Sequence, residues 1–244
     1  MKAMILAAGL GTRLRPKTNV IPKALVEVNE MTLLEIVIRR LKYFGCTSII
    51  INVHHFGEKV IQFLERANYF DIDISISDER DKLLNTGGGI KRAAWFFEDG
   101  LPFIVCNTDI LSDIDLRTMY NSHLASGAMV TLAARQRETS RYLLFNQEQV
   151  LHGWLNVKSK EMKLSRSAAA NLKLWAFSGI QIVDPAIFKA MPDEDAFSII
   201  DVYLALAATQ TLMAYPHDED QWLDVGTHER LEQAGVLVES LALG

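Results

Sequence analysis

The sequence predicts an α/β protein with a Rossmann-like, mainly parallel sheet flanked by helices and a small antiparallel subregion. Three observations predict this fold. Apolar runs of strand length alternate with amphipathic runs of helix length through the first half of the chain. The loops between them are short, as in right-handed β-α crossovers. Beyond residue 127, apolar runs follow one another closely, which predicts antiparallel pairing.

The first half of the chain provides the parallel strands. They are predicted over Lys2–Ala7, Ser48–Val53, Ile72–Ser77 and Leu101–Cys106. A helix is predicted over Thr32–Phe44, because its apolar residues share one face, Thr32 and Glu35 form a capping box, and Gly45 provides a stop. A second helix covers about 58–67. The segment LLNTGGGI is predicted to be a loop that leads into a helix near 91–97.

The second half of the chain predicts the antiparallel extension and the last helices. Strands are predicted over Met129–Ala134, Tyr142–Phe145, Val150–Val157 and Leu174–Val183. Helices follow at about 197–209 and 227–241. The polar stretch 159–171 is interpreted as a surface excursion and not as a domain boundary, so one domain is predicted over residues 1–244.

Composition and charge exclude several classes of protein. Hydrophobic residues make up 49% of the 244 residues and the net charge is −5, which argues against a nucleic-acid or membrane-surface partner. No apolar run approaches the roughly 20 residues that span a bilayer. Cys46 and Cys106 lie in apolar contexts, which predicts reduced core thiols in a cytoplasmic protein.

The most informative segment is LAAGLGTRLRPKTNVIPK at residues 6–23. Residues 1–26 contain five basic residues and no acidic one, whereas the rest of the chain has 20 basic and 30 acidic residues. Such a local positive charge on an acidic protein indicates a small polyanion such as a nucleotide. Backbone N–H groups of residues 8–12 can surround phosphate oxygens, which Arg13, Arg15 and Lys23 would neutralise.

The glycines of this loop match neither common nucleotide-binding motif. Gly9 and Gly11 are followed by Leu14 where the dinucleotide fingerprint has a third glycine, which disfavours a nicotinamide dehydrogenase. The loop also lacks the GKS or GKT of a Walker motif. A phosphate-binding loop of another kind is therefore favoured over a purely structural turn.

Two aspartates are candidate metal ligands. Asp109 ends a buried strand at the edge of the sheet where ligands bind in open α/β folds, and Asp224 precedes Gly226 and a helix start. Each is equally explained as a cap when taken alone. Together they offer two carboxylates, and Mg²⁺ commonly uses one or two protein carboxylates plus phosphate oxygens. The spacing itself does not establish that they meet.

These motifs together resemble the sugar-1-phosphate nucleotidylyltransferases. The loop at 6–23, LNTGGGI, CNTDI, FSGI (177–180) and WLDVGT (222–227) match that family's motifs along essentially the whole chain. The resemblance is strongest to the short bacterial N-acetylmuramate 1-phosphate uridylyltransferases, with heptose- and mannose-1-phosphate guanylyltransferases close behind. It implies a GT-A-like form of the predicted fold.

The resemblance also implies a reaction and a set of roles. A sugar 1-phosphate attacks the α-phosphorus of a nucleoside triphosphate, and pyrophosphate leaves. Arg13 would hold the pyrophosphate, and Lys23 would contact the phosphates near the reacting centre. Asp109 and Asp224 would hold Mg²⁺, so Arg13, Lys23 and Asp109 are the expected catalytic residues.

The family pattern further implies where each substrate binds. Residues 1–127 would form the nucleotide-binding half and residues 128–244 the sugar-binding half. The expected nucleotide-binding residues, besides Arg13, are Ala7, Ala8, Gly9, Gly11, Thr12, Asn85 and Gly88. The expected sugar-binding residues are Asn107, Asn156, Ser178 and Gly179.

The departures from the family pattern are on the sugar side. Thr108 stands where the family has a glycine, and Arg141-Tyr142 is followed by leucine where the family has glycine. UTP is the expected donor and N-acetylmuramate 1-phosphate a candidate acceptor. A GTP-dependent mannose- or heptose-1-phosphate guanylyltransferase and a non-catalytic nucleotide-sugar sensor remain alternatives, and the oligomeric state is open.

Overall fold

A computed structural model of the chain describes residues 1–166 and 171–243. Its helices are α1 (Leu33–Tyr43), α2 (Gly57–Arg66), α3 (Asn85–Arg92), α4 (Leu116–Ser126), α5 (Ile199–Leu206) and α6 (His228–Ser240). Its strands are β1 (Lys2–Leu6), β2 (Glu27–Val28), β3 (Met31–Thr32), β4 (Ser48–Val53), β5 (Asp73–Asp78), β6 (Phe103–Asn107), β7 (Ile110–Ser112), β8 (Val130–Arg135), β9 (Arg141–Phe145), β10 (Leu151–Asn156), β11 (Glu161–Leu164), β12 (Lys173–Val183), β13 (Leu212–Pro216) and β14 (Trp222–Asp224).

Ten of these strands form one mixed sheet, which confirms the predicted fold class. Its path is β11-β10-β9-β12-β6-β1-β4-β5, and β8 joins β12 and β13. The strands β6, β1, β4 and β5 are parallel. Leu6 of β1 is level with Asn52 of β4 and Asn107 of β6, so three carboxyl ends meet at one edge of the sheet. Ligands bind at this edge in open α/β folds.

The antiparallel subregion lies on the other side of β6. Strand β12 pairs antiparallel with β6, β8 and β9, and β9, β10 and β11 form an antiparallel meander. Strand β13 was not predicted and pairs parallel with β8. Strand β11 falls inside the stretch that the sequence presents as a polar excursion; residues 167–170 of that stretch lie outside the described residues.

Alternation along β1 divides the core between the two faces of the sheet. Met4 packs with Phe97 and Tyr203 on one face, and Ile5 packs on the other face, where α1 also lies. A third cluster joins Leu14 of the first loop to Val225 and to α6. Each fully buried large apolar side chain contributes roughly 1.5–3 kcal/mol. The loop at 9–26 is therefore anchored to the C-terminal helix by apolar packing.

The segment around the three consecutive glycines differs from its prediction. The glycines are inside α3, which ends at Arg92, and Ala94–Phe97 forms a short 3₁₀ helix where an α-helix was expected. Lys91 and Arg92 consequently occupy the last turn, where cations complement the helix dipole. Helix α4 was missed, although Asp115 caps its start.

Two further findings concern the cysteines and the helices that could span a membrane. Cys46 and Cys106 are buried free thiols, and burial raises the pKa of each to about 12. Neither thiol is therefore reactive at neutral pH. Among the described residues, none of the helices combines the length and the apolar character needed to cross a bilayer.

Candidate active site

A cavity of about 690 Å³ opens at the carboxyl ends of the parallel strands. Ligand pockets commonly have roughly 300–1,000 Å³, so a nucleotide-sized ligand fits. Seven of the predicted site residues line it: Ala7, Ala8, Gly9, Lys23, Asn85, Asn107 and Asp109. Residues far apart in the sequence thus converge at the edge of the sheet.

The loop after β1 contains glycines of two kinds. Gly9 lines the cavity, and a Cβ built there meets no heavy atom within 4 Å. Gly11 has φ +63°, and a Cβ there would lie 3.0 Å from the Cβ of Lys23. Gly9 therefore leaves space for a ligand, whereas Gly11 is required by the fold of the loop. Thr12 begins a 3₁₀ turn outside the cavity wall.

Lys23 and Asp109, which both line the cavity, form a direct ion pair. Lys23 begins a short 3₁₀ helix after Pro22, and Asp109 lies between β6 and β7. The Lys23 ammonium donates a hydrogen bond to Asp109 Oδ2, and 12% and 22% of the two side chains are exposed. A partly buried pair of this kind is screened less by salt than a surface pair.

Asp224 is brought beside Asp109 by a two-stranded ladder. Strand β14 pairs antiparallel with β7, which places Asp224 opposite Ile110. The Val225 N–H donates to the Asp109 carbonyl at 2.8 Å. The two aspartates predicted as metal ligands are thus neighbours in space, although the cavity wall includes only Asp109.

Arg13 approaches Asp224 from the first loop. Its Nη2 lies 3.8 Å from Asp224 Oδ1, and 61% of its side chain is exposed. A Cβ on Gly226 would lie 2.6 Å from the same Nη2, so the glycine makes room for the guanidinium. Two of the three predicted phosphate-binding cations, Arg13 and Lys23, are therefore each paired with one of the two aspartates.

The two aspartates have the chemistry that a Mg²⁺ site needs. Asp224 Oδ1 is buried and accepts no hydrogen bond from the described residues. A buried carboxylate oxygen without a donor is costly unless a cation or ligand completes it. Over residues 1–166 and 171–243, no group of three or more His, Cys, Asp or Glu side chains is placed to hold a metal. Two carboxylates with phosphate and water oxygens suit Mg²⁺.

A buried hydrogen-bond chain runs beneath the part of the cavity wall formed by β1 and the start of α3. The Ala7 N–H donates to Asn52 Oδ1 at 2.7 Å, and Asn52 Nδ2 donates to Glu79 Oε1 at 2.7 Å. Burial raises the pKa of Glu79, and the bond from Asn52 opposes this shift only in part. Glu79 Oε2 also accepts a long bond from the Leu84 N–H, just before α3. These hydrogen bonds link β1, β4 and the start of α3.

The space beside the glycines of α3 is occupied by other residues of the protein. A Cβ on Gly88 would lie 1.9 Å from the Asp195 carbonyl oxygen, and one on Gly87 would lie 2.4 Å from the Phe197 ring. Gly88 does not line the cavity. Asn85 and Thr86, in the first turn of α3, do line it. The absent side chains at 87 and 88 therefore allow close packing of α3, and the ligand side is provided by the residues before them.

Asn107 and Gly179, both predicted to bind the sugar, are close neighbours in the structure. Asn107 ends β6 and lines the cavity. Gly179 has φ +76°, and a Cβ there would lie 2.8 Å from Asn107 Nδ2. The absence of a side chain at Gly179 therefore leaves room for the Asn107 amide.

Ser178 and Asn156 are engaged elsewhere. Ser178 is fully buried, and its hydroxyl is 2.6 Å from His217 Nε2. Burial lowers the pKa of His217 to about 4, so this imidazole is neutral at pH 7. Asn156 Oδ1 accepts the N–H groups of Lys158 and Ser159 in the β10–β11 turn. Neither residue lines the cavity.

Several lining residues were missed by sequence reasoning. Asn52 is a polar residue inside an apolar strand, which is a signal that could have identified it. Gln181 between two isoleucines is a similar signal. Phe177 and the start of α5 at 198–200 also line the cavity. Arg141 and Thr108, which the sequence singles out only as departures from the family pattern, line it as well, and the Thr108 hydroxyl donates to the Leu6 carbonyl at 2.7 Å.

Comparisons with known proteins identify the family of this chain. The family model "Nucleotidyl transferase" matches residues 2–240. An N-acetylmuramate alpha-1-phosphate uridylyltransferase from Neisseria meningitidis is 31% identical, with 97% of this chain and 98% of that protein covered. A UTP–glucose-1-phosphate uridylyltransferase from Synechocystis is 27% identical over 93% of this chain, which spans 60% of that protein's length.

A solved structure supports the fold independently. HddC from Yersinia pseudotuberculosis, complexed with GMP-PN, superposes with a TM-score of 0.77 at 21% identity, covering 96% of this chain and 98% of that chain. At this identity the likeness concerns the fold alone. The near-complete family match and the full-length Neisseria relative confirm the resemblance drawn from the motifs. The chain belongs to the nucleotidyl transferase family, within the sugar-1-phosphate nucleotidyltransferases.

Proposed function

We propose that this chain transfers a uridylyl group from UTP to a sugar 1-phosphate, with N-acetylmuramate 1-phosphate as the first candidate, and releases pyrophosphate. The observation that carries the proposal is a pair of neighbouring ion pairs, Lys23 with Asp109 and Arg13 with Asp224. Two cations for phosphates and two carboxylates for a metal are held together at the end of β1. A triphosphate and its metal need this combination of charges.

The pairing suggests what happens when the nucleotide binds. In the structure the two carboxylates pair with the two cations, which offsets the repulsion between like charges at the site. A triphosphate would bring several negative charges to the loop, and Arg13 and Lys23 would turn from the aspartates toward it. Asp109 and Asp224 would then be free to hold the metal.

The proposed roles follow from position. Lys23 lies inside the cavity and contacts the phosphates beside the reacting centre. Arg13, more exposed, holds the departing pyrophosphate. Asp109 and Asp224 would hold Mg²⁺, which when bound would neutralise charge that develops on the phosphate oxygens. The attacking oxygen already belongs to an ionised phosphate, so the protein mainly aligns it with the α-phosphorus.

The nucleotide and the sugar occupy opposite ends of the cavity in this proposal. Ala7, Ala8, Gly9 and Asn85 contact the nucleoside, with residues 1–127 contributing the nucleotide half. Asn107 contacts the sugar, and residues 128–244 contribute Arg141, Phe177 and Gln181 to the other wall. Gly11, Gly88 and Gly179 support neighbouring residues. For Ser178 and Asn156 we propose support of the sugar wall in place of direct contact.

A panel assay tests the proposal. Purified chain with Mg²⁺ is incubated with UTP or GTP against N-acetylmuramate, glucose, mannose and heptose 1-phosphates, and pyrophosphate release is measured. Release that requires both UTP and a sugar phosphate supports the proposal. Preferential release from GTP would instead assign a guanylyltransferase. Nucleotide binding without release from any pair would favour a nucleotide-sugar sensor and overturn the proposed reaction.

A further inference from the structure

Arg137 connects two walls of the active site. It follows β8 and is half-buried. Its Nη2 donates to the Phe177 carbonyl at 3.0 Å, and its guanidinium carbon lies 4.5 Å from the centre of the Trp222 ring. A cation over an indole face is attracted by the ring's negative quadrupole. One side chain thus holds β12 through a carbonyl and β14 through a ring.

The two strands that Arg137 joins carry different parts of the site. Phe177 of β12 lines the cavity. Trp222 begins β14, and Asp224 is two residues later on the same strand. Residues i and i+2 of a strand point to the same face, so the indole and the Asp224 carboxylate lie on the same face of β14. Fixing Trp222 therefore fixes the short strand that carries the proposed metal ligand.

The far end of Trp222 is also fixed. Its indole Nε1 donates to the Ser178 carbonyl at 2.9 Å. The Ser178 hydroxyl is in turn bonded to the buried His217 at 2.6 Å. The indole is therefore held at its edge by β12 and at its face by Arg137. Ser178 and His217 are a rigid anchor for this arrangement.

The positive charge of Arg137 interacts with neighbouring charged side chains. Burial lowers the pKa of Arg137, and the negative charge of Asp224 opposes that shift, while Arg135 and Arg230 repel the guanidinium. Arginine remains charged at any working pH. Its Nε is buried and has no acceptor among the described residues. A guanidinium kept in this position without full hydrogen bonding indicates that the stacking and the Phe177 bond determine its place.

We propose that Arg137 is a positioning residue that sets the Asp224 carboxylate for metal binding by clamping Trp222 against β12. The inference rests on the proposed function, because it takes Asp224 as a ligand of Mg²⁺. Arg137 is not among the residues that line the cavity, so the proposal gives it no direct contact with the metal or the substrates. Residues that orient metal ligands typically affect metal affinity or activity by about 10–100-fold when they are replaced.

The test compares R137M and R137K with the wild type. R137M keeps much of the side-chain volume and removes the charge and the fork, and R137K keeps the charge alone. R166M is the matched control, because Arg166 also donates to a carbonyl, that of Gln210 at 2.7 Å, and contacts neither Phe177 nor Trp222. Thermal unfolding of all variants is recorded first, to separate loss of fold from loss of position.

The deciding readout is the gain in nucleotide affinity that Mg²⁺ provides. Affinity is titrated calorimetrically with Mg²⁺ and with EDTA, using the triphosphate that supports pyrophosphate release by the wild type. We expect R137M to lose about 10–100-fold of the Mg²⁺-dependent gain and to bind the metal-free nucleotide like the wild type. R137K should resemble R137M, and R166M the wild type.

The outcomes separate the inference from the proposed function. A wild type whose nucleotide binding is independent of Mg²⁺ overturns the proposed metal site, and the inference with it. A wild type with a Mg²⁺-dependent gain that R137M retains overturns the inference alone. Full recovery by R137K would show that charge suffices and would also contradict the clamp.

Discussion

Alanine at each of two loop glycines separates a ligand-facing role from a structural one. Gly9 has open space where a Cβ would be, and it lines the cavity. Gly11 has φ +63°, and its added Cβ would lie 3.0 Å from both Lys23 Cβ and Thr18 Cγ2. We therefore expect G9A to disturb nucleotide binding and G11A to disturb the fold.

The size of each effect follows from these surroundings. An L-residue in the left-handed region costs about 1–2 kcal/mol, and for a chain of this length each kcal/mol lowers Tm by about 2–4 °C. G11A should therefore melt roughly 2–8 °C lower. G9A should change stability by less than about 1 kcal/mol. A methyl group in the nucleotide's space costs about 1–3 kcal/mol, which raises the nucleotide KM roughly 5- to 150-fold.

Two assays decide this prediction. Thermal unfolding without ligand gives Tm for the wild type, G9A and G11A, and pyrophosphate release against nucleotide concentration gives KM. The reasoning is refuted if G9A melts as low as G11A. It is equally refuted if G9A leaves the nucleotide KM unchanged, because Gly9 would then not face the nucleotide.

Three further predictions concern charge, packing and pH. K23M and D109N should each lower kcat by about 10²–10³, because a group aimed at the reacting phosphates is lost, while Tm stays within a few degrees; near-normal turnover of either variant contradicts its role. G88A should lower the free energy of unfolding by about 1–3 kcal/mol, because its Cβ would lie 1.9 Å from the Asp195 carbonyl oxygen and overlap it. The variant should therefore unfold at a clearly lower urea concentration, and an unchanged midpoint would contradict this packing. The unfolded imidazole of His217 binds a proton below its ordinary pKa of 6.5, whereas the folded one stays neutral down to about 4, so stability is lost as the pH falls through that window. The loss amounts to about 3 kcal/mol, and urea unfolding of H217Q at pH 7 and pH 4.5 should show a smaller decrease than that of the wild type; equal decreases would rule out His217 as the source.

The parallel part of the fold could be predicted because its signals are local. The apolar runs at β1, β4 and β6 and the capping box of α1 are written in contiguous residues. Strand β13 and helix α4 were missed because their patterns are short or weakly amphipathic, and their stability depends on partners elsewhere in the chain. Pairing with β8 is what makes a strand of Leu212–Pro216.

The site was predictable in composition and not in arrangement. Asp109 and Asp224 could each be singled out, yet only the β14–β7 ladder brings them together. For the glycines of α3, the sequence indicated a close approach but did not identify the neighbour. A run of glycines indicates close approach without saying whether the neighbour is a ligand or protein, and Gly88 packs against Asp195.

Residues that act through others left little trace in the sequence. Arg137 lies in a polar segment, and its importance depends on Trp222, which is distant along the chain and stacks beneath it. Glu79 looks like a surface residue in SDERD, although it is fully buried at the end of β5. Local pattern reasoning places such charges in solvent, because charged side chains are seldom buried without partners.

The proposed reaction is attack on the α-phosphorus of UTP by a sugar 1-phosphate. The decisive measurement supplies UTP labelled with ³²P at the α-phosphate, together with Mg²⁺ and N-acetylmuramate 1-phosphate, and separates the products. We expect the transferred label only in the UDP-sugar, with unlabelled pyrophosphate. Label in inorganic phosphate or pyrophosphate, or UTP left intact with every sugar phosphate tested, would contradict it.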